Sequence, residues 1–214
     1  MNKSSNNILI IDNVEDGILR LTLDDKENKN ALSKTMMEKL KDSLNSASLD
    51  DSVKVIVIAA TGDVFSSGHN LKEITNAREN EDAGEAYFSS LFNLCSSLMQ
   101  LIVKCKKPII AEVNGVATAA GCQLVASCDL AISSDTSTFA TPGVNIGLFC
   151  STPMVALSRN MKKKDAMKML LTGDMIDAKE AKRLSLINDH VPKEQLTESV
   201  NDLAKKIASK SLMT

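Results

Sequence analysis

Two stretches of the sequence have residue types that can present backbone N–H groups to a ligand. FSSGH at 65–69 follows an apolar run that ends at Ala60, and TAAGC at 118–122 follows one that ends at Val113. If each stretch turns into a helix, its first N–H groups lack partners within the helix and can point at one negative oxygen. Paired donors of this kind stabilise the charge that develops on a carbonyl oxygen in acyl or enolate chemistry. The alternative is that the small residues only let a helix pack closely against a sheet.

The elements that must position these stretches alternate between strand and helix. Short β-branched and apolar runs predict buried strands at 17–23, 53–60, 109–113 and 130–133. Apolar residues at helical spacing predict helices from about Ser33, over 84–103, and then at 153–160, 163–171, 177–185 and 193–209. The pattern indicates an α/β domain with a largely parallel, covered sheet. It does not choose between a doubly wound sheet and a spiral of β-β-α turns, and no GxGxxG motif is present to indicate a nucleotide.

Composition excludes several classes of protein. The 214 residues fit one domain, and the formal net charge of −2 gives no overall basic field for nucleic acid or anionic lipid. The five cysteines form no CxxC pair and no Cys/His cluster with metal spacing, which predicts reduced thiols and no metal site. The polar start and the four-residue apolar run after it predict neither a signal peptide nor a membrane span. We therefore expect a soluble intracellular protein.

Five segments, in order along the chain, resemble the enoyl-CoA hydratase/isomerase (crotonase) superfamily. They are NKNAL at 28–32, VIVIAATGDVFSSGHNLKEI at 55–74, KKPIIAEVNGVATAAGCQLVASCDLAI at 106–132, FATPGVNIGL at 139–148 and LLTGDMIDAKEAKRLSLIN at 170–188. The resemblance implies one crotonase-like α/β domain over 1–214, with a spiral of β-β-α turns at about 8–190. It implies the start of a C-terminal helical region at 193–214 and the absence of the family's last helices. The chain is then either truncated or leaves its acyl pocket more open than usual.

The resemblance also implies which residues contact an acyl-CoA thioester. The family's first oxyanion N–H falls on His69, and the second falls on Ala120, where relatives have the middle residue of a glycine triplet. Alanine keeps the N–H group and adds one methyl, so the donor survives if the backbone angles suit alanine. The other implied substrate-binding residues are Lys29, Asn30, Ala31 and Leu32 at the nucleotide end of CoA, Ser67, Gly68, Asn70, Leu71 and Lys72 along the ligand, and Ala119 and Gly121 beside the second donor. Lys72 would meet a phosphate, and the alternative for it is a solvated lysine on a helix face.

The sequence departs from the family at the groups that act as acid and base. Family hydratases use two glutamates to place and split a water, and the matching positions are Gln123 and Gly143. Glutamine can orient a water but cannot exchange a proton near neutral pH, and glycine has no side chain. The position where some members have an extra aspartate is Ser151. The imidazole of His69 is a natural proton carrier, although a structural or ligand-packing role is favoured for it.

Several functions therefore stay open. The family default is an enoyl-CoA hydratase (a lyase) or isomerase of fatty acid metabolism, with an atypical proton carrier or a water held by Gln123. The alternative is an acyl-CoA-binding protein that has lost the reaction. Binding of AU-rich RNA, known for one family member, would use the lysine run at 162–164, for which a solvated helix start is the preferred interpretation. Thioester hydrolysis would need a nucleophile such as Cys122 or Ser151 and a base to activate it, and a buried core role is preferred for the cysteine.

The resemblance also sets expectations for cofactors, partners and location. We expect no cofactor apart from coenzyme A within the substrate. The expected assembly is a homotrimer or a dimer of trimers, with no membrane or nucleic-acid partner. The expected location is cytoplasmic, or mitochondrial if the source is eukaryotic, because the start of the chain is not an arginine-rich transit peptide.

Overall fold

A computed structural model describes residues 7–12 and 14–211, and the strands of this part form two sheets. The strands are β1 (Leu9–Ile11), β2 (Ile18–Leu23), β3 (Val55–Ala60), β4 (Val64–Ser66), β5 (Ile109–Val113), β6 (Val116–Thr118), β7 (Leu130–Ser134), β8 (Thr138–Ala140), β9 (Ile176–Asp177) and β10 (Asp189–Val191). The larger sheet has the order β1-β2-β3-β5-β7-β10, and the smaller sheet has the order β4-β6-β8-β9. All neighbouring strands are parallel except β1 with β2 and β8 with β9. The prediction of a largely parallel sheet is confirmed.

The helices complete a spiral of β-β-α turns. They are α1 (Lys34–Leu49), α2 (Leu71–Ala77), α3 (Glu85–Lys104), α4 (Ala120–Ser127), α5 (Ser151–Asn160), α6 (Lys163–Thr172), α7 (Ala178–Arg183) and α8 (Leu196–Ala208). Each of β3, β5 and β7 lies in the larger sheet and is followed by a short strand of the smaller sheet and then by a helix. The spiral is therefore confirmed over the doubly wound alternative.

The two stretches singled out above are not simply loops that lead into helices. Residues Val64–Ser66 and Val116–Thr118 are strands that pair in parallel with each other, so the two stretches are hydrogen-bonded neighbours. Three-residue strands are too short to produce a period-two pattern, which is why the sequence did not predict them. The predicted helices that follow are present, and they begin at Leu71 and Ala120.

Local signals place most helix ends close to the predicted positions. The Ser33 hydroxyl accepts from the Met36 N–H, which confirms Ser33 as the N-cap of α1. Helix α7 ends at Arg183, two residues before the predicted end at 185, where Ser185 has a left-handed φ of 65°. The predicted helix at 193–209 begins with a 3₁₀ turn, Lys193–Gln195, before α8. The polar start of the chain at 1–6 and its end at 212–214 lie outside the described residues.

The helices bury apolar stripes on both faces of the larger sheet. Helices α1 and α3 pack against each other over one face, and α8 covers the other face with Leu196, Val200 and Ala204. By length and composition alone α3 meets the criterion for a membrane span, which the sequence analysis did not expect. One side of α3 is nevertheless buried in the core through residues such as Leu98 and Ile102, and a core helix can meet the same criterion.

Candidate functional site

The first unpaired N–H group belongs to His69, in the short connection between β4 and α2. The chain on either side of it is held by backbone hydrogen bonds: the Leu32 N–H donates to the Gly68 oxygen at 2.7 Å, and the Ser67 N–H donates to the Lys29 oxygen at 3.2 Å. The His69 N–H itself donates to no acceptor in the described part of the chain. It is therefore a fixed donor with no partner in the protein.

The second unpaired N–H group belongs to Ala120, the first residue of α4. The Ala119 N–H donates to the Ala140 oxygen at 2.9 Å, and the Gln123 N–H donates to the Ala119 oxygen at 3.0 Å. These bonds fix the start of the helix, while the Ala120 N–H has no acceptor among the residues that the structure describes. An unpaired N–H in the first turn of a helix is a donor for a negative oxygen.

The segments that carry the two donors are in direct contact, and glycines permit that contact. A Cβ added at Gly68 would lie 3.1 Å from the Ala120 nitrogen, and one added at Gly121 would lie 2.3 Å from the Ser66 oxygen. The Thr118 hydroxyl also donates to the Ser67 oxygen at 3.2 Å. The small residues of the two stretches therefore bring the two segments that carry the unpaired N–H groups into contact.

The adjacent turn at 29–32 is hydrogen-bonded to the segment that precedes the first donor. The Asn30 amide donates to the Thr61 and Val64 oxygens at 2.9 and 2.7 Å, and its Oδ1 accepts from the Asp25 N–H at 2.7 Å. Asn30, Ala31 and Leu32 are buried. The Asn30 side chain therefore holds the segment that contains His69, and the contact of residues 29–32 with CoA stays a prediction.

Four of the other predicted binding residues, Lys29, Asn70, Leu71 and Lys72, lie at or after this turn in the same region. Lys29 and Lys72 are exposed, and the Lys72 ammonium contacts the Asn28 side chain at 3.4 Å. Asn70 is the N-cap of α2 and accepts from the Lys72 N–H at 3.0 Å, while the Leu71 side chain is 64% exposed. Two lysine charges thus lie in solvent near the first donor.

The positions predicted to match the family's acid and base groups differ in their surroundings. The Gln123 side chain is only 5% exposed, and its Oε1 has no hydrogen-bond partner in the described residues. A Cβ added at Gly143 would lie 2.3 Å from the Leu148 oxygen and 2.8 Å from the Cys150 Sγ, so the chain leaves no space for a side chain there. Ser151, at the start of α5, is exposed.

Sequence analysis did not single out Thr141, which belongs to the same region. It follows β8, whose Ala140 pairs with Thr118 in β6 and accepts from the Ala119 N–H. Thr141 is fully buried, and its Oγ1 lacks a partner in the described residues. A buried hydroxyl normally has a hydrogen-bond partner. The absence of a partner for Oγ1 is therefore the signal that identifies Thr141 as a candidate site residue.

A cleft of about 650 Å³ begins at Gln123, one helical turn along α4 from Ala120. Helix α3 contributes Met99 and Val103, and α5 contributes Val155. Ser127, Asp129 and Arg159 are among the polar residues that line it. The cleft has the size of a small-molecule site, and its lining mixes apolar and polar side chains.

The His69 imidazole is held by a contact at Nδ1 and by the packing of its ring. Its Nδ1 lies 3.4 Å from the Leu32 oxygen, and the ring packs edge-to-face on Phe92 with 5.7 Å between the ring centroids. Its Nε2 is buried and has no partner in the described residues. Burial lowers the pKa of His69 below its usual value, and the Leu32 oxygen and the Glu73 carboxylate oppose this only in part. The imidazole is therefore neutral at pH 7.

The cysteine thiols are candidates as nucleophiles or metal ligands. Burial raises the pKa of Cys122 to about 12, although the cysteine lies in the first turn of α4, where a helix terminus would lower it. All five cysteines are free, and the described part of the chain contains no group of three or more potential metal ligands. The core role preferred for Cys122 is confirmed, and thioester hydrolysis through its thiolate is not supported.

Comparisons with known proteins agree with this architecture. The family model described as "Enoyl-CoA hydratase/isomerase" matches residues 13–214. The mitochondrial enoyl-CoA hydratase domain-containing protein 3 of Rattus norvegicus is 52% identical over 197 residues, which are 92% of this chain and 64% of that protein. This chain thus spans less than two thirds of the length of that relative.

Solved structures show the same fold. The crystal structure of human enoyl coenzyme A hydratase domain-containing protein 3 superposes with a TM-score of 0.89 at 46% identity, covering 96% of this chain and 79% of that one. An enoyl-CoA hydratase from Mycobacterium smegmatis superposes with a TM-score of 0.90 at 41% identity, covering 96% of this chain and 78% of that one.

Proposed function

Because this chain belongs to the enoyl-CoA hydratase/isomerase family, we propose that it binds an acyl-CoA thioester and holds the thioester oxygen between the N–H groups of His69 and Ala120. The observation that carries the proposal is the contact between two fixed segments, each with an N–H that has no partner in the described residues. Two such donors favour the enolate form of the thioester over its neutral form, since the negative charge develops on the oxygen that they contact.

The surroundings of the two donors suggest positions for the acyl chain and for the CoA phosphates. The acyl chain extends past Gln123 into the cleft between α3 and α5, because the cleft begins at Gln123, one helical turn from Ala120, and its lining includes Met99, Val103 and Val155. The phosphates of CoA lie on the opposite side, near the exposed ammonium groups of Lys29 and Lys72. A lysine acts there as a mobile point charge, so its contribution to affinity decreases with salt.

Substitution of Gly68 tests the donor pair directly. Gly68→Ala adds a Cβ within 3.1 Å of the Ala120 nitrogen, whereas Gly147→Ala adds one with no atom within 4 Å. Both glycines have a left-handed φ, 88° and 77°, so the two substitutions introduce similar backbone strain. Calorimetric titration with butyryl-CoA, a saturated thioester, should show at least about a tenfold loss of affinity for Gly68→Ala only, about 1.4 kcal/mol. Equal affinities for the two variants would contradict the proposal.

A second candidate is an acyl-CoA-binding protein without turnover. The absence of both carboxylates favours it over water addition, and the steric limit at Gly143 means that a glutamate cannot simply be restored there. Absorbance of a 2-enoyl-CoA measures hydration through loss of the conjugated double bond. We expect no hydration by the natural protein and a measurable rate for Gln123→Glu. Hydration by the natural protein would show that other residues supply the acid and base.

Assembly and location complete the proposal. We expect a homotrimer or a dimer of trimers, which light scattering after size-exclusion chromatography would detect. The rat relative is named as mitochondrial, which supports mitochondria if the source is eukaryotic, and the bacterial alternative is the cytoplasm. Antibody-based localisation in the source cell would distinguish these.

A further inference from the structure

We propose that the acyl-CoA bound by this protein has a free carboxylate at the far end of its acyl chain, and that the guanidinium of Arg159 and the ammonium of Lys104 bind that carboxylate. This inference rests on the proposed function, because it concerns the chain that extends from the thioester carbonyl into the cleft between α3 and α5. It names the substrate class as a dicarboxylic acyl-CoA and the two cations as the residues that select it.

The cleft runs along α4 and α5, away from the oxyanion donors. Cys150, the N-cap of α5, is close enough to the Cys122 thiol in the first turn of α4 to help raise its pKa. At the other ends of the same helices the Asn160 amide donates to the Ala126 oxygen at 2.7 Å. The two helices therefore lie side by side in the same direction, and the cleft that begins at Gln123 ends where both helices end.

Two cationic side chains line the cleft at this far end. Arg159 is in the last turn of α5, and Lys104 is the last residue of α3. Neither forms an ion pair with a carboxylate of the described residues. The Lys104 ammonium donates to the neutral Gln100 Oε1 at 3.3 Å. Both positive charges are therefore available to an anion.

The cleft has a net positive charge. Among the described residues that line it, Asp129 is the acidic one. Its Oδ2 accepts from the Ile109 N–H at 2.8 Å, so this oxygen is already used to hold the start of β5. Two cations and one carboxylate leave an excess of one positive charge, which favours an anionic ligand group over a neutral or cationic one.

Basic residues in a last helical turn can instead serve the helix itself, by contacting its free carbonyl oxygens. Here a neutral side chain makes such contacts, since the Asn160 amide donates to the Ala126 and Ala156 oxygens at 2.7 and 2.9 Å. The Arg159 guanidinium has no acceptor in the part of the chain that the structure describes. A guanidinium can donate two parallel hydrogen bonds to one carboxylate, so Arg159 is the stronger of the two contacts.

The length of α4 sets the length of the acyl chain. The helix has eight residues, so its ends are roughly 10 Å apart at a rise of about 1.5 Å per residue. Ala120, which holds the thioester oxygen, is at one end, and the two cations are at the other. The flexible stems of arginine and lysine extend towards the ligand. A chain of the length of suberyl reaches them, whereas a succinyl chain is too short.

Calorimetric titration with suberyl-CoA and octanoyl-CoA tests the inference, because the two thioesters have the same chain length and differ in the terminal carboxylate. The natural protein should bind suberyl-CoA at least about fivefold more tightly, about 1 kcal/mol. Arg159→Gln should reduce the affinity for suberyl-CoA about tenfold and the affinity for octanoyl-CoA less than about twofold. Arg183→Gln, which changes an exposed arginine of α7 outside the cleft, is the matched control and should change neither.

Asp129→Asn should have the opposite effect. It removes the negative charge from the cleft and retains an oxygen that can accept from the Ile109 N–H, so the affinity for suberyl-CoA should increase a few-fold. The preference for suberyl-CoA should also decrease as sodium chloride is added, because salt screens exposed charges.

The outcomes separate this inference from the proposed function. Tighter binding of octanoyl-CoA by the natural protein, or an equal loss of affinity for both thioesters in Arg159→Gln, would overturn the inference and leave the proposed function standing. Arg159 is exposed, so the variant should fold, and an unchanged melting curve verifies this. Failure of the natural protein to bind either thioester would overturn the proposed function and the inference with it.

Discussion

Replacing Ala119 with glycine should make the protein more stable, although it removes a methyl group from a helix start. Ala119 has a φ of 51° and a ψ of −120°, a conformation that glycine adopts readily and alanine does not. The hydrogen bonds to Ala140 and from Gln123 hold the residue there. The alanine therefore retains strain that glycine would release.

The expected change in the free energy of unfolding combines one favourable and two unfavourable contributions. A residue other than glycine in such a region costs about 1–3 kcal/mol. Glycine in the unfolded chain gains conformational entropy, which opposes the change by about 0.4–1 kcal/mol, and the lost methyl contributes at most about 0.8 kcal/mol because Ala119 is only partly buried. We expect a net stabilisation of about 1 kcal/mol, which raises the melting temperature by about 2–4 °C in a protein of this size.

The neighbouring alanine provides the control. Ala120 lies in α4 and has no positive φ, so glycine there should reduce stability by up to about 1 kcal/mol. Urea unfolding followed by circular dichroism measures the stability of both variants. The free energy of unfolding should increase for Ala119→Gly and decrease for Ala120→Gly, although the two substitutions are chemically identical and adjacent. If Ala119→Gly destabilises the protein as much as Ala120→Gly does, the strain argument is wrong.

Three further predictions concern buried groups. Glu112→Ala should reduce the free energy of unfolding by about 2 kcal/mol, because it leaves the Arg20 guanidinium, 2.6 Å from the Glu112 carboxylate, with only the neutral Asn201 Oδ1 as its partner; urea unfolding should show most of the loss restored when Arg20→Met is added. Gly121→Ala should prevent normal folding or binding, because its Cβ would lie 2.3 Å from the Ser66 oxygen; unchanged unfolding and butyryl-CoA titration would contradict this. Burial raises the pKa of Cys122 from 9.0 to about 12. Between these pH values the thiol ionises in the unfolded chain and not in the folded one, so its contribution to stability should be present below pH 9 and decrease as the pH rises towards 12. Cys122→Ala should remove this part of the loss of stability at alkaline pH, as measured by urea unfolding.

The order of strands and helices could be predicted from the sequence because their patterns are local. The β-branched run that forms β3 and the Ser33 cap of α1 act over a few residues, and both are present in the structure. The same is true of the glycines at 68 and 121, whose small size indicated a close approach. What approaches them is partly the protein itself, since Ser66 and Ala120 occupy the space that a side chain would fill.

The remaining features depend on contacts between distant parts of the chain. Asn30 matched a ligand-binding turn, but its amide binds the Thr61 and Val64 oxygens and supports the first donor. Thr141 has no motif, and only its burial without a partner marks it. The conformation of Ala119 is set by hydrogen bonds to β8 and α4, so the sequence alone could not show that the two alanines differ.

The two positions that the resemblance matches to the family's glutamates, Gln123 and Gly143, differ physically. At Gly143 the Leu148 backbone oxygen occupies the space that a side chain would need, so no side chain at this position can contact a ligand. At Gln123 a polar atom remains buried and unpaired beside the cleft, and such an atom is costly unless a ligand satisfies it. The two positions therefore differ in kind: a side chain is sterically excluded at Gly143, whereas at Gln123 a buried polar side chain remains that Gln123→Glu would make acidic without adding bulk.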